Sequence, residues 1–328
     1  MPTNLPPDYF AVERRFRLAE STEDKIALLE EMLGTIPKHK GTDHLRADLR
    51  RKLSRLKQES QSKKGSSRHA SSYHVTPEGA GQAVLVGPTN VGKSALLRAL
   101  TNAEPEVSGG PFTTWEPMPG MMGFDEIQIQ LIDTPPLNPD FVEPGLFDLM
   151  RRVGVILLVL DIRTDPLQQL ADANALIEEH RLAPRHREGR YPEESRMTYK
   201  PFLVLANKCD DEACDEECGI FLELLEEPWP VLAVSAETGR NLHLLKRQVF
   251  DLLEIIRVFS KAPGRGPDRN APFVLPMGST VEYLASRIHR DFYEHLKQAR
   301  VWGSAEFEGQ LVGRDHVLRD RDIVELRT

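Results

Sequence analysis

The sequence is poor in cysteine, with three in 328 residues, all within CDDEACDEEC at 209–218. An odd count without a secretory start argues against a disulfide framework. Cys214 and Cys218 are spaced to share one helix face, so a metal site is conceivable. No histidine lies nearby, and an acidic surface helix is the plainer reading. Long apolar runs are also missing. The longest, VGVILLVLDI at 153–162, is half the length of a membrane span. The opening MPTNLPPDYFAVERRF lacks the basic and apolar regions of a signal peptide. These absences point to a cytoplasmic protein without membrane contact.

An excess of positive charge is also missing: 42 Lys and Arg stand against 50 Asp and Glu, a net charge of −8. Residues 37–69 nevertheless hold eleven Lys/Arg against three Asp/Glu, which places +8 there and −16 on the rest. Such a balance excludes general nucleic-acid coating, so no DNA partner is expected. It suggests one localised polyanion contact.

What remains is an ordinary globular composition, 40% hydrophobic and 28% charged, with room for about two domains. Leucines 45, 49, 53 and 56 form a helical stripe after a first helix carrying Ile26, Leu29, Met32 and Leu33. PKHKG turns between them, giving a helical hairpin, and QSKKGSSRHASS is a polar linker. From 82 to 258 the pattern changes to short apolar runs alternating with helix-length segments: QAVLVG, IQIQLID, VGVILLVLDI, PFLVLAN and VLAVS. Runs so uniformly apolar suit a buried parallel sheet, so this part reads as a doubly wound α/β domain. Residues 181–200 read as a long surface loop and 260–270 as a linker. The tail reads as a small α+β module: a strand, one helix over TVEYLASRIHRDFYEHL, then further strands. The expected domains are therefore 1–80, 81–260 and 268–328.

GPTNVGKS at 87–94 carries the strongest chemistry. It fits G-x-x-x-x-G-K-[ST] between a strand and a helix, the context a phosphate loop needs. Gly87 and Gly92 free backbone N–H groups to wrap phosphates. Lys93 reaches the outer phosphates and the Ser94 hydroxyl coordinates Mg²⁺. Pro88, Thr89, Asn90, Val91 and Ala95 complete the loop. NKCD at 207–210 follows another strand. Asp210 can accept from N1–H and the exocyclic amine of guanine, both absent from adenine, so adenine would leave a carboxylate unpaired. Asn207 can brace the loop, and Lys208 can pack on the ring. After the next strand, VSAE brings Ser235, the Ala236 N–H and Glu237 near the guanine oxygen. GGPFTTWEPMPG at 109–120 offers Thr113 and Thr114 to a Mg²⁺-closing loop, with Thr114 favoured. LIDTPPLNP at 131–139 ends a strand in Asp133, placed to hold the Mg²⁺ shell through water.

GPTNVGKS, PFTT, DTPP, NKCD and SAE together resemble the five ordered motifs of translation-factor-related small GTPases, with PFTT similar to the Obg and DRG families. The tail from PFVLPMGSTVEYL onwards is similar to the TGS domain of DRG proteins, and PKHKGTDHLRADLRRKLSRL resembles their basic hairpin. The resemblance implies a GTP/GDP-binding protein acting on ribosomes or structured RNA, with a β-grasp C-terminal domain. Its RNA-facing side would use the hairpin residues Arg46, Arg50, Arg51, Lys52, Arg55 and Lys57 together with the TGS domain; a solvated helix face is the alternative. Three features depart from the pattern. DTPP stands where the family has D-x-P-G, LNPDFVEPGLFDLMRR replaces a glycine-rich switch helix, and the domain that DRG proteins insert is absent. Pro136 has no N–H with which to sense a γ-phosphate. The resemblance also implies that Asn90 holds a K⁺ ion. Asn90, Lys93 and Thr114 are then the catalytic residues of a slow, K⁺-stimulated GTPase. A nucleotide-dependent binding module with little hydrolysis is the alternative.

Overall fold

The structure, a computed structural model, describes residues 73–101, 116–138 and 143–327, together with the single positions Val12, Phe16, Leu28, Leu29 and Met32. The chain divides into two compact units, Met1–Ser72 and Tyr73–Thr328. In the first unit the five described positions are helical, and Leu29 and Met32 are buried. The basic residues of the expected hairpin lie outside the described residues, as do Thr113 and Thr114.

In the second unit the chain runs from β1 (Gln82–Val86) to α1 (Lys93–Leu100), then through the ribbon β2 (Met118–Phe124) and β3 (Ile127–Asp133) to α2 (Pro144–Arg152). It continues as β4 (Val155–Asp161), α3 (Pro166–Glu179), β5 (Leu182–Pro184), β6 (Thr198–Lys200), β7 (Phe202–Asn207), α4 (Ala213–Leu224), β8 (Val231–Ala233) and α5 (Leu242–Leu252). Six strands form one sheet in the order β2-β3-β1-β4-β7-β8, parallel except for the β2–β3 pair. β4 explains the arrangement. All seven of its residues are buried, with Ile156, Leu158 and Leu160 facing one core and Val155, Leu157 and Val159 the other. A strand covered on both faces gains roughly 1.5–3 kcal/mol per large apolar side chain. It therefore shows no polar alternation.

All five strands expected from the apolar runs are present. β2 was not expected, because MPGMMGF carries proline and glycine where strand formers are usual. As an edge strand it tolerates both. The segment 181–200 is more ordered than a surface loop. β5 and β6 pair in parallel at its two ends, and the Arg187 side chain between them is buried. Arg187 pairs with Glu178, with Glu227 at 2.7 Å and with the Asn174 amide oxygen at 2.9 Å. Its guanidinium lies 5.1 Å from the Trp229 ring centroid.

The C-terminal part comprises β9 (Ile255–Ser260), β10 (Phe273–Pro276), α6 (Val281–Ile288), α7 (Arg290–His295), β11 (Gln298–Trp302), β12 (Gln310–Val312) and β13 (Asp322–Arg327). The sheet order is β10-β9-β13-β11-β12, and α6 supplies Val281, Leu284 and Ala285 to its core. β9 pairs with β10 and β13, so this sheet takes up the chain before residue 268. The single helix expected over 280–296 is two. The chain is extended at His289, whose ring Nδ1 accepts from the Asp291 N–H at 3.1 Å and so starts a new helix. No described helix is long and apolar enough to cross a membrane.

Arg257 of β9 joins the two sheets. It is 1% exposed and donates to Asp320 at 2.7 Å, Asp125 at 2.7 Å and Glu126 at 3.0 Å. Asp125 and Glu126 form the turn of the β2–β3 ribbon, and Arg321 reaches Glu126 at 2.6 Å. The Phe124 and Phe250 rings flank the guanidinium, with centroids 5.4 and 4.8 Å from it.

Candidate functional site

In an open α/β sheet the strands end at a common edge, where ligands bind. Here that edge collects the loops after β1, β3, β4, β7 and β8. Between β1 and α1, Gly87 and Gly92 have φ of 148° and 96°. A Cβ on Gly87 would stand 2.2 Å from Val159 O, and one on Gly92 would stand 2.3 Å from Asn207 Nδ2. Both positions therefore require glycine. Lys93 Nζ lies inside the loop and donates to Gly87 O at 2.9 Å and Pro88 O at 2.8 Å. Burial pulls its pKa down to about 8, against the attraction of Asp133. Thr89 and Asn90 form the exposed rim, and Val91 is buried beneath them.

Asp133 ends β3 beside this loop and is 3% exposed. Its Oδ2 accepts from the Ser94 hydroxyl. Its Oδ1 is buried and meets no donor in hydrogen-bond geometry. Burial raises the Asp133 pKa, partly offset by Ser94 and Lys93. A buried carboxylate oxygen without a partner, next to a hydroxyl, is an oxygen donor set that fits a hard divalent cation such as Mg²⁺. The following residues are tied down. Thr134 Oγ1 donates to Leu85 O at 2.7 Å, and the Leu137 N–H, the first available after two prolines, donates to Gly87 O at 3.0 Å.

The loops after β7 and β8 meet the phosphate loop through Asn207. This side chain is 1% exposed; its amide donates to Val91 O at 2.7 Å, and its Oδ1 accepts from the Ala236 N–H at 3.3 Å. The bracing expected of Asn207 is present. The Ala236 N–H, expected to face a ligand oxygen, is engaged by Asn207 instead. Ser235 Oγ donates to Asp210 Oδ1 at 2.5 Å and accepts from the N–H groups of Glu237 and Thr238 at 3.2 and 3.0 Å. The loop therefore orients Asp210.

Two residues of this site escaped sequence reasoning. Asp161, at the end of β4, accepts from Lys208 Nζ at 2.5 Å, so that lysine is held by an acid rather than left to pack on a ring. Arg163 pairs with the Asp210 carboxylate and donates to Lys208 O at 3.1 Å. An acid at the end of an apolar strand was the available signal for Asp161, the same signal that marked Asp133. Nothing in the sequence marks Arg163.

Cys209, within NKCD, is joined by a disulfide to Cys214. Cys218 is free and buried. The odd count therefore did not exclude a disulfide, and the helix that carries Cys214 and Cys218 turns both inward.

Comparisons with known proteins agree with this geometry. Residues 82–208 match the 50S ribosome-binding GTPase family, and residues 256–328 match the TGS domain. A GTP-binding protein of Methanocaldococcus jannaschii is 29% identical over 93% of this chain and 92% of its own length. Developmentally-regulated G-protein 3 of Arabidopsis thaliana is 27% identical, covering 92% of this chain and 97% of its own. Among solved structures, the YchF GTPase of Schizosaccharomyces pombe aligns with a TM-score of 0.51 at 13% identity, over 77% of this chain and 99% of its own. At that identity the likeness concerns the fold.

Proposed function

We propose that this chain, a GTPase-type domain followed by a TGS domain and similar to developmentally-regulated G-proteins, is a slow, Mg²⁺-dependent and K⁺-stimulated GTPase that couples nucleotide state to a ribosome or structured RNA. The observation that carries the guanine assignment is the Asp210 carboxylate, oriented by Ser235 in a loop that Asn207 ties to the phosphate loop. Guanine offers this acid two parallel donors, whereas adenine offers none at those positions. The phosphates lie along residues 87–95, with Lys93 leaving its two carbonyl partners for the outer phosphates. Ser94 and Asp133 would hold Mg²⁺, joined by Thr114 on the resemblance to related GTPases. When bound, the ion neutralises charge developing on the transferred phosphoryl group. Asn90, at the exposed rim of the loop, is the residue for K⁺. The basic hairpin and the TGS domain are the surfaces for RNA.

Calorimetry with GDP, a non-hydrolysable GTP analogue and ATP tests the nucleotide. Guanine nucleotides bind and ATP does not; comparable ATP affinity overturns the reading. Phosphate release in KCl, with and without ribosomes, tests the enzyme.

A second reading, a binding module with little hydrolysis, draws support from the segment after Asp133. Pro136 has no N–H, and the Leu137 N–H is used by Gly87 O. Absence of turnover in KCl with ribosomes present would favour it.

A further inference from the structure

The three cysteines converge on one point that the nucleotide chemistry does not use. Cys209 comes from the loop after β7, and Cys214 and Cys218 lie on successive turns of α4. Cys218 Sγ is 3.8 Å from Cys214 Sγ and 3.9 Å from Cys209 Sγ. All three sulfurs lie within 4.8 Å of one another, and the residues are 0%, 4% and 7% exposed in chain order. Arg240 Nη1 donates to Cys209 Sγ at 3.5 Å and to Asp211 O at 2.8 Å. Packing alone needs small apolar side chains here. It does not need three sulfurs facing one another.

We propose that, with the Cys209–Cys214 disulfide reduced, this trio binds one zinc ion and thereby fixes the guanine-recognition loop. A dithiol supplies the two electrons. It is oxidised to its own disulfide while Cys209 and Cys214 become thiols, and Zn²⁺ then displaces the three thiol protons to solvent. With Zn–S bonds of about 2.3 Å, sulfurs sharing an ion at tetrahedral angles sit about 3.8 Å apart. The two separations involving Cys218 already match that value. Three thiolates and Zn²⁺ carry one negative charge in sum, against the two that copper(I) would leave, and the guanidinium beside Cys209, that of Arg240, is shared with the Asp215 carboxylate. Reactive redox cysteines are partly exposed, and this cluster is covered. The fourth position is left to a solvent molecule on the Cys218 side, the most exposed of the three. Cys209 sits between Lys208 and Asp210, so an ion held there anchors the loop to α4. This coupling rests on the guanine reading; the metal site does not.

The test uses the full chain, reduced with a phosphine and freed of metal. Zinc chloride is titrated against a chromophoric chelator, and cobalt(II) chloride against absorbance. The expected result is one zinc per chain and a sulfur-to-cobalt charge-transfer band. Cys218→Ser should lower zinc affinity by more than the roughly 10–100-fold that loss of a supporting partner costs. Circular dichroism reports whether that variant folds, and the cobalt band of the unaltered chain decides the matter if it does not. Absence of the band, unchanged zinc affinity in a folded Cys218→Ser chain, or tighter binding of copper(I) with zinc excluded overturns the proposal. GDP calorimetry on the same samples should show at least about fivefold tighter binding with zinc. Zinc binding without that gain overturns the anchoring. Zinc binding in a chain that fails to bind GDP overturns the guanine reading and leaves the metal site standing.

Discussion

The backbone N–H of Leu137 donates to the carbonyl oxygen of Gly87 at 3.0 Å, which ties the segment after Asp133 to the first residue of the phosphate loop. In a G-protein switch the residue at position 136 would donate to the γ-phosphate, and here it is proline. A charge-assisted hydrogen bond is worth roughly 1.5–3 kcal/mol. Pro136→Gly supplies the missing N–H and should improve the preference for a GTP analogue over GDP by about tenfold or more. The unaltered protein should bind both with near-equal affinity. Calorimetry on the two proteins decides it, and an unchanged ratio would mean that another donor already serves the γ-phosphate.

Arg163 pairs with the Asp210 carboxylate. Its guanidinium presents N–H groups to the same carboxylate that the edge of guanine would engage, so the base must displace it. The Arg163 side chain is 52% exposed, and such pairs contribute about 0.2–1 kcal/mol. Arg163→Ala should therefore tighten GDP binding by up to about fivefold, with the gain shrinking at high salt. Weaker binding would show that Arg163 instead contacts the nucleotide.

Lys93 gives the site a pH dependence. Its pKa is held at about 8 by burial, and phosphates at the loop would raise it towards the ordinary lysine value of about 10.4. Below pH 8 Lys93 is charged in both states and no proton is exchanged. Between about pH 8 and 10 the free protein has lost the proton and the complex keeps it. Binding then takes up a proton, and GDP affinity falls as pH rises, by at most about tenfold per unit. Calorimetry at pH 9 in two buffers of different ionisation enthalpy should register that uptake. Equal heats would contradict it.

Potassium is tested at Asn90, which has φ of 62°. Alanine would be strained there, so Asn90→Gly is the better probe, removing the amide without opposing the backbone. GTP turnover should be several-fold faster in KCl than in NaCl, and the substitution should abolish the difference. Equal rates in the two salts for the unaltered protein would remove K⁺ from the mechanism.

Arg257 answers three carboxylates from a nearly fully buried position. Breaking a buried ion pair typically costs 3–5 kcal/mol. The acids here are 23–45% exposed and can recover some hydration, so Arg257→Met should lower unfolding stability by about 3 kcal/mol. Urea denaturation followed by circular dichroism measures it, and a loss below about 1 kcal/mol would mean the cluster is mostly solvated.

The sequence disclosed most of this site because each motif is local. GPTNVGKS needs its glycines within one loop, and NKCD lies directly after β7, so spacing alone exposed both. β2 was hidden because an edge strand tolerates Pro119 and Gly120, which sequence patterns treat as breaks. The contacts of Arg163 with Asp210 and of Arg257 with Asp125 join residues far apart in the chain, and only the finished sheet brings them together. The cysteines were misjudged for a related reason. Their number argued against a disulfide, but pairing depends on how the loop after β7 folds back onto α4.

The β2–β3 ribbon has a mechanical consequence. Asp133 stands at one end of β3 and the Asp125–Glu126 turn at the other, seven residues or roughly 20 Å away at the usual strand rise. Arg257 and Arg321 grip the turn end. A fully paired ribbon resists shortening along its length, so a displacement of the C-terminal sheet would be passed along β3 towards Asp133.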